Sequence, residues 1–121
     1  MTGGKRGDLP YSKSRVDKYL YDNYNINMEA IRFEWDENKN HINQNKHKIS
    51  FEEAKTVFYD EEALVIDDPE HSEQEERFII LGLSSKANLL IVCHCYRESD
   101  TVIRIISARK ATRTESEYYG K

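Results

Sequence analysis

The second half of the chain contains four apolar segments that are separated by short turn sequences. The segments are "ALVID", "RFIILGLS", "NLLIVCHCYRE" and "TVIRIISAR", and the turns are "DPEHSE", "SKAN" and "SD". Strands joined by short turns pair in the antiparallel sense, because a parallel connection needs a crossover of a dozen or more residues. These segments therefore predict a four-stranded antiparallel meander.

A strand and a first helix are predicted ahead of the meander. The segment "IRFEW" alternates apolar and charged residues with the period of a half-buried strand. Asp36 then stands at the N-cap position of the polar segment "ENKNHINQNKHK". Ile42 is the main apolar residue of that segment, so it is the expected anchor of the helix.

A second short helix is indicated by the segment "SFEEAKTVF". Ser50 and Glu53 form a capping-box pattern, in which a hydroxyl residue is followed by glutamate three residues later. Apolar residues on one face of this helix are Phe51, Ala54 and Phe58.

The segment after the last strand carries two overlapping capping-box patterns, Thr112 with Glu115 and Thr114 with Glu117. They predict a short terminal helix and complete the order β-α-α-β-β-β-β-α. This order is typical of an α+β domain, with an antiparallel sheet of about four to five strands and helices on one face. The other face of the sheet is then available to a ligand.

Length and composition indicate a single small domain. The chain has 121 residues, of which 38% are hydrophobic and 33% charged. A domain of this size has little room for an enclosed cavity, so we expect an open site and no cofactor. The sequence contains no apolar run near the ~18 residues of a membrane span and no secretory signal, so we expect a cytoplasmic protein.

Residues 1–27 do not continue the pattern of the domain. The segment "SRVDKYLYDNYN" is compatible with a short helix, but Met28 is a natural start for the domain. We therefore divide the chain into an N-terminal extension, residues 1–27, and a domain, residues 28–121. An over-long start, a cloning remnant and a partner-binding arm all remain open for the extension.

Two cysteines lie in the third apolar segment. Cys93 and Cys95 are two residues apart, and this spacing on one strand is a poor geometry for a disulfide. They are interpreted as buried free thiols. The alternative is a metal site that also uses His94 and His71, but strand alternation places His94 on the opposite face and no second cysteine pair follows. The sequence therefore predicts no metal site.

Charge is unevenly distributed along the chain. Residues 1–49 contain 9 Lys/Arg and 7 Asp/Glu, residues 50–76 contain 1 and 11, and residues 77–121 contain 8 and 4. A protein with a formal net charge of -4 can therefore still present a basic surface to phosphate. On charge alone, solvated loops and helices are the favoured interpretation of this distribution.

Several arginines lie at strand ends. In the predicted meander, the start of the Arg77 strand lies beside the end of the antiparallel Arg97 strand, and Arg104 lies nearby, closer to the beginning than to the end of the next strand. Arg109 falls toward the opposite end of the sheet. The strand pattern thus predicts a cluster of Arg77, Arg97 and Arg104 that is suited to phosphate. Rim salt bridges with Glu76 or Glu98 are the alternative.

Three blocks of the sequence resemble the BrnT family of toxins. They are "FEWDENKNHINQNKHKISFEEA" (33–54), "DPEHSEQEERFIILGLS" (68–84) and "RIISARKATRTESEYY" (104–119). The resemblance covers about residues 30–119 and leaves out residues 1–27. It implies a bacterial type II toxin with a RelE-like fold, which cleaves RNA and is held inactive by a BrnA antitoxin. Operator DNA would be contacted only indirectly, through the antitoxin complex.

The resemblance also implies metal-independent cleavage, in which the ribose 2′-hydroxyl attacks the neighbouring phosphate. The catalytic candidates are Arg77, Arg97, Lys46, His47 and Glu76. The RNA-binding candidates are Arg104, Arg109 and Tyr118.

Two classes of function remain open at this level. A ribonuclease toxin and a non-catalytic protein-binding module both require a basic sheet face. Structural interpretations also remain open for the individual residues: His47 as a helix-end cap, Glu76 as a salt-bridge partner, and Tyr118 as packing for the last helix.

Overall fold

The computed structural model describes residues 31–68, 76–99 and 101–120. In chain order the elements are β1 (Arg32–Glu34), α1 (Glu37–His47), α2 (Phe51–Lys55), a 3₁₀ helix (Thr56–Tyr59), β2 (Leu64–Asp67), β3 (Phe78–Leu83), β4 (Leu89–Arg97), β5 (Val102–Lys110) and α3 (Arg113–Ser116). The predicted element order is confirmed, with the 3₁₀ helix continuing α2. The extension at residues 1–27 and His71 lie outside the described residues.

Five strands form one sheet in the order β1-β5-β4-β3-β2. The strands β2 to β5 form the predicted antiparallel meander. The first strand differs from the expectation, because β1 pairs with β5 in parallel and makes the sheet mixed. The helical segment after β1 carries the chain from the β1 edge of the sheet to the β2 edge, so β1 does not join its neighbour in sequence.

The hydrophobic core lies between one face of the sheet and the helical segment. Phe51, Ala54 and Phe58 are at most 2% exposed, which confirms the predicted apolar face. Buried residues of the sheet complete this core: Val65, Ile80, Leu90, Val92, Ile103, Ile105 and Ala108. We call this side of the sheet the core face and the opposite side the second face.

The prediction that Ile42 anchors α1 is wrong. Its side chain is 53% exposed, whereas Asn40 and Asn43 on the same helix are buried. The reason is that β1 pairs with only the first part of β5, from Val102 to Arg104. Helix α1 lies along the remaining edge of β5, where backbone groups need polar partners rather than apolar contacts.

The capping pattern at the start of α2 is only half realised. The Ser50 hydroxyl accepts a hydrogen bond from the backbone N–H of Glu53, as predicted. The buried carboxylate of Glu53 instead accepts hydrogen bonds from Ser84 at 2.6 Å and Asn88 at 2.8 Å. It therefore joins α2 to the turn between β3 and β4.

The terminal helix begins as the sequence predicts. Thr112 is its N-cap, and both hydrogen bonds of the capping box with Glu115 are present. Of the two overlapping patterns the first is used, and Glu117 becomes the C-cap. Across the described residues, no helix is both long enough and apolar enough to cross a membrane.

Candidate active site on the second face of the sheet

The arginine at the end of β4 and the arginine near the start of β5 are brought together on the second face. Cys95 and Arg97 are alternate residues of β4, and their partners in β5 are Arg104 and Val102. Arg104 is also in register with Glu34 of β1. Because residues in register share a face of the sheet, Arg97, Arg104 and Glu34 point to the same side.

One carboxylate is shared by these two arginines. Glu34 Oε2 lies 3.0 Å from Arg104 Nη1 and 3.8 Å from Arg97 Nε. The side chains are partly accessible, with exposed fractions of 45% for Arg97, 32% for Arg104 and 39% for Glu34. We call these three residues the Glu34 cluster. It carries two positive charges and one negative charge within contact distance.

Arg77 extends the basic surface toward β3. It directly precedes Phe78, whose partner in β4 is His94, and its backbone carbonyl accepts a hydrogen bond from Asp68. Burial raises the pKa of the Cys93 thiol to about 12, Asp68 acts in the same direction, and the positive charge of Arg77 opposes them. Arg77 thus lies close to Cys93, while its grouping with Arg97 and Arg104 stays a prediction.

The second face is more enclosed than the sequence suggested. Buried side chains on this face are Leu64, Leu81, Cys95 and Val102. Accessible polar groups remain at the end of the sheet where the Glu34 cluster lies, and the exposed Ser107 and partly exposed Arg109 lie farther along β5 on the same face.

Two other arginines of the described chain each have a carboxylate of their own. Arg32 contacts Glu98 at 2.6 Å, so Glu98 forms an ion pair with an arginine of β1 and not with one of the predicted cluster. Arg109 forms two parallel hydrogen bonds with Glu115, both 2.8 Å long. These bonds lower the pKa of Glu115 to about 2 and raise that of Arg109. Neither of these arginines contacts Glu34, so neither belongs to the Glu34 cluster.

Lys46 and His47 occupy the last turn of α1, with Lys46 exposed and His47 half-buried. One turn earlier Asn43 binds Ala108, on the part of β5 that leads away from Arg104. Throughout the part of the chain that the structure describes, no hydrogen bond or ion pair joins Lys46 or His47 to the three arginines. Their catalytic roles remain predictions.

The remaining candidates lie at the two ends of the sheet. Glu76 is exposed immediately before Arg77. Tyr118 is 52% exposed beyond α3, while its neighbour Tyr119 donates a hydrogen bond to Asp60 at 2.6 Å. Tyr119 thus joins the segment after α3 to Asp60, while Tyr118 stays accessible.

His94 and the cysteines lie on opposite faces, as strand alternation predicts. The His94 ring is fully buried on the core face and contacts Phe58, Phe78 and Tyr96. Desolvation in this aromatic environment lowers its pKa to about 4, so the ring is neutral at pH 7. Cys93 instead donates to Asp68 on the second face. In residues 31–68, 76–99 and 101–120, no group of three or more His, Cys, Asp or Glu side chains is placed to hold a metal ion.

Sequence reasoning did not identify Glu34 as a site residue. The segment "IRFEW" was interpreted only as a strand, and its charged residues as the solvated side. The signal was nevertheless present, because the alternation that buries Phe33 against the core sends Arg32 and Glu34 to the second face. What the sequence did not show is that β1 lies next to the arginines of β5.

Comparisons with known proteins show the family and the fold of this chain. The sequence profile of the family described as "Ribonuclease toxin, BrnT, of type II toxin-antitoxin system" matches residues 35–115, which is more than half of the chain. The chain is also similar to the crystal structure of the Brucella abortus ribonuclease toxin BrnT, with a TM-score of 0.52 and 20% sequence identity. That match covers 69% of this chain and 99% of the other, and at this identity it shows the shared fold. No curated protein sequence gave a significant match.

Proposed function

The chain belongs to the BrnT family of ribonuclease toxins of type II toxin-antitoxin systems, and from this premise we propose that it cleaves RNA without a metal ion. The attacking group is the ribose 2′-hydroxyl next to the scissile phosphate. The products are a 2′,3′-cyclic phosphate and a 5′-hydroxyl. Because the substrate is RNA, the proposed site of action is the bacterial cytoplasm.

The observation that supports this proposal most directly is the pair of guanidinium groups in the Glu34 cluster. Arg97 and Arg104 both contact Glu34, and their side chains are 45% and 32% exposed. A phosphodiester that approaches the cluster therefore meets two accessible guanidinium groups side by side. Guanidinium groups bind phosphate oxygens in a planar, bidentate geometry and stay charged at any working pH.

The same groups meet the electrostatic demand of the reaction. Attack by the 2′-oxygen produces a phosphorane that carries more negative charge than the starting diester. Donors fixed beside the phosphate stabilise that charge without reorganising during the step. In our proposal Arg97 and Arg104 hold the scissile phosphate, and Arg77 contacts the backbone farther along the strand. Arg109 and Tyr118 contact flanking nucleotides, with the tyrosine ring available for stacking on a base.

The partner implied by the family is an antitoxin, and we propose that it is a protein of the BrnA type. It inhibits the toxin by placing carboxylates against the basic cluster and apolar side chains against the sheet or its flanking helices. Operator DNA is bound only through that complex. In this proposal the toxin-binding segment of the antitoxin becomes ordered on contact with the toxin. A segment of this kind can cover a large surface.

A cleavage assay with defined RNA tests the proposal. The purified chain is incubated with a labelled single-stranded RNA and with the same sequence containing 2′-deoxyribose throughout. We expect cleavage of the RNA with a 2′,3′-cyclic phosphate end, and no cleavage of the deoxy analogue. Tight binding of RNA without cleavage, or arrest of growth without RNA cleavage, would instead support a non-catalytic binding module.

A further inference from the structure

One carboxylate on the second face is placed where a proton acceptor is required. We propose that Glu34 is the general base, a catalytic residue that removes the proton from the 2′-hydroxyl of the nucleotide to be cleaved. This inference rests on the proposed ribonuclease function and adds to it the residue that activates the nucleophile.

The first argument is the geometry of the carboxylate. Both ion pairs of Glu34 use Oε2, with Arg104 at 3.0 Å and Arg97 at 3.8 Å. Within the described part of the chain, Oε1 makes no hydrogen bond. The glutamate is thus fixed by one oxygen and has the second oxygen available to accept a proton. A general base must lie within hydrogen-bonding reach of the group that it deprotonates, and a phosphate bound by the two arginines brings its neighbouring ribose to this oxygen.

The second argument is the rigidity of the position. Glu34 lies in β1, and its backbone is in register with that of Arg104 in β5. Base and phosphate-binding group are therefore held by adjacent strands of one sheet, about 5 Å apart. Catalytic groups on regular elements are positioned more accurately than groups on loops. Glu76, the carboxylate chosen from the sequence, instead lies just before the first residue of β3.

The third argument comes from the other carboxylates that contact arginines. Glu115 uses both oxygens to bind Arg109, and one of them also accepts the backbone N–H of Thr112. Both of its oxygens are therefore occupied by hydrogen bonds within the domain. Glu98 contacts Arg32, which is not one of the two proposed phosphate-binding arginines. Glu34 differs from both, because it contacts two partly exposed arginines through a single oxygen.

The reaction step follows from these positions. The 2′-hydroxyl proton passes to Glu34 Oε1 while the 2′-oxygen forms a bond to phosphorus. The bond between phosphorus and the 5′-oxygen breaks, and the 5′-oxygen leaves with a proton taken from water. Arg97 and Arg104 remain bound to the non-bridging oxygens throughout. No other reactant is required.

Single-turnover cleavage by Glu34→Gln tests the assignment, with Glu98→Gln as the matched control. Glutamine keeps the size of the side chain and its contact with the arginines but does not accept the proton. We expect the rate to fall by about 100-fold or more, in the range typical of a lost general base. The increase in rate from acidic to neutral pH should also be lost. Glu98→Gln should cleave within about two-fold of the wild type, because a surface pair contributes little.

A binding measurement separates proton transfer from positioning. Affinity for a non-cleavable 2′-O-methyl RNA should be unchanged or higher in Glu34→Gln, because a negative charge has been removed. Glu34→Asp retains a carboxylate, so it should cleave at a reduced rate and keep the pH dependence of the wild type. This variant also tests the assignment if Glu34→Gln folds poorly. Wild-type rates in Glu34→Gln, or equal losses in binding and rate with an unchanged pH profile, would overturn the assignment. Cleavage of RNA by the wild-type protein in the same assay tests the ribonuclease function separately from the role of Glu34.

Discussion

The side-chain amide of Asn43 bonds both backbone groups of Ala108. Its Nδ2 donates to the Ala108 carbonyl at 2.8 Å, and its Oδ1 accepts from the Ala108 N–H at 3.1 Å. Ala108 is beyond the part of β5 that pairs with β1. The Asn43 amide therefore makes the two backbone hydrogen bonds that a neighbouring strand would otherwise make to Ala108. Nδ2 also donates to the Ile49 carbonyl at 2.9 Å, which ties the end of α1 to the start of α2.

Replacing Asn43 should therefore destabilise the domain strongly, because its buried amide bonds the backbone of two other segments. Asn43→Leu keeps the approximate volume but leaves buried backbone groups of Ala108 and Ile49 without partners. We expect the free energy of unfolding to fall by roughly 2 to 4 kcal/mol, measured by urea denaturation. Ile42→Ala on the same helix should change it by less than about 0.5 kcal/mol, because Ile42 is exposed. A larger effect of Ile42→Ala would contradict this account of α1.

The contrast between Ile42 and Asn43 shows where sequence reasoning succeeded and failed. Strand positions, the Asp36 and Thr112 caps and the apolar face of α2 follow from local periodicity and capping chemistry, and all are observed. The role of α1 depends on which strand lacks a neighbour. That is a property of the assembled sheet, and a hydrophobicity pattern does not contain it.

The candidate active site shows the same difference between features with a local sequence signal and features without one. The arginines of β4 and β5 were placed correctly because consecutive antiparallel strands have a predictable register. Glu34 was missed because β1 joins the sheet next to β5, the strand most distant from it in the meander. A long-range parallel pairing of three residues leaves no local signal in the sequence.

The buried His94 ring should make stability depend on pH. Its pKa is lowered from an ordinary value near 6.5 to about 4. Below pH 6.5 the unfolded chain therefore binds a proton that the folded protein does not, and stability is lost as the pH falls from 6.5 toward 4. Between pH 7.5 and pH 5 we expect a loss of about 2 kcal/mol from this residue, measured from urea midpoints.

Variants of His94 identify the source of that dependence. His94→Phe places a non-titrating ring among Phe58, Phe78 and Tyr96, and His94→Asn serves if phenylalanine is too large. Each should lose most of the change between the two pH values, even if its overall stability differs. His41→Asn, which removes an exposed histidine from α1, should retain the change. An unaltered pH dependence in both His94 variants would show that another group is responsible.

Toxicity should depend on the arginines of the second face. We expect Arg77→Ala or Arg97→Ala to abolish growth arrest on induction, because each removes a guanidinium that binds RNA phosphate in our proposal. Thermal stability should change little for Arg97→Ala, since its side chain is 45% exposed and its contact with Glu34 is long. Arg113→Ala, an exposed arginine on α3, is the matched control and should remain toxic. A stably folded Arg77/Arg97 double variant that still arrests growth would exclude these residues from the mechanism.

RNA cleavage should persist when divalent metal ions are removed. The proposed chemistry uses Glu34 to accept the proton and arginines to stabilise the phosphorane, so no step requires a metal-bound water. Single-turnover rates in excess EDTA should lie within about two-fold of those in magnesium, with any difference reflecting RNA folding. Complete loss of cleavage on chelation, followed by rescue with one particular metal ion, would contradict the metal-independent mechanism.

Inhibition by the antitoxin should be electrostatically steered toward the Glu34 cluster. Arg97 and Arg104 place two partly exposed guanidinium groups side by side, so an acidic segment of the antitoxin is attracted to the surface that is proposed to bind RNA phosphate. The association rate, measured by stopped-flow fluorescence, should fall as sodium chloride is raised. Arg97→Ala should weaken this salt dependence, whereas Lys86→Ala, which removes an exposed charge from the turn between β3 and β4, should leave it nearly unchanged. An association rate that does not respond to salt, or a complex in which Arg97 and Arg104 stay accessible, would show that the antitoxin inhibits from another surface.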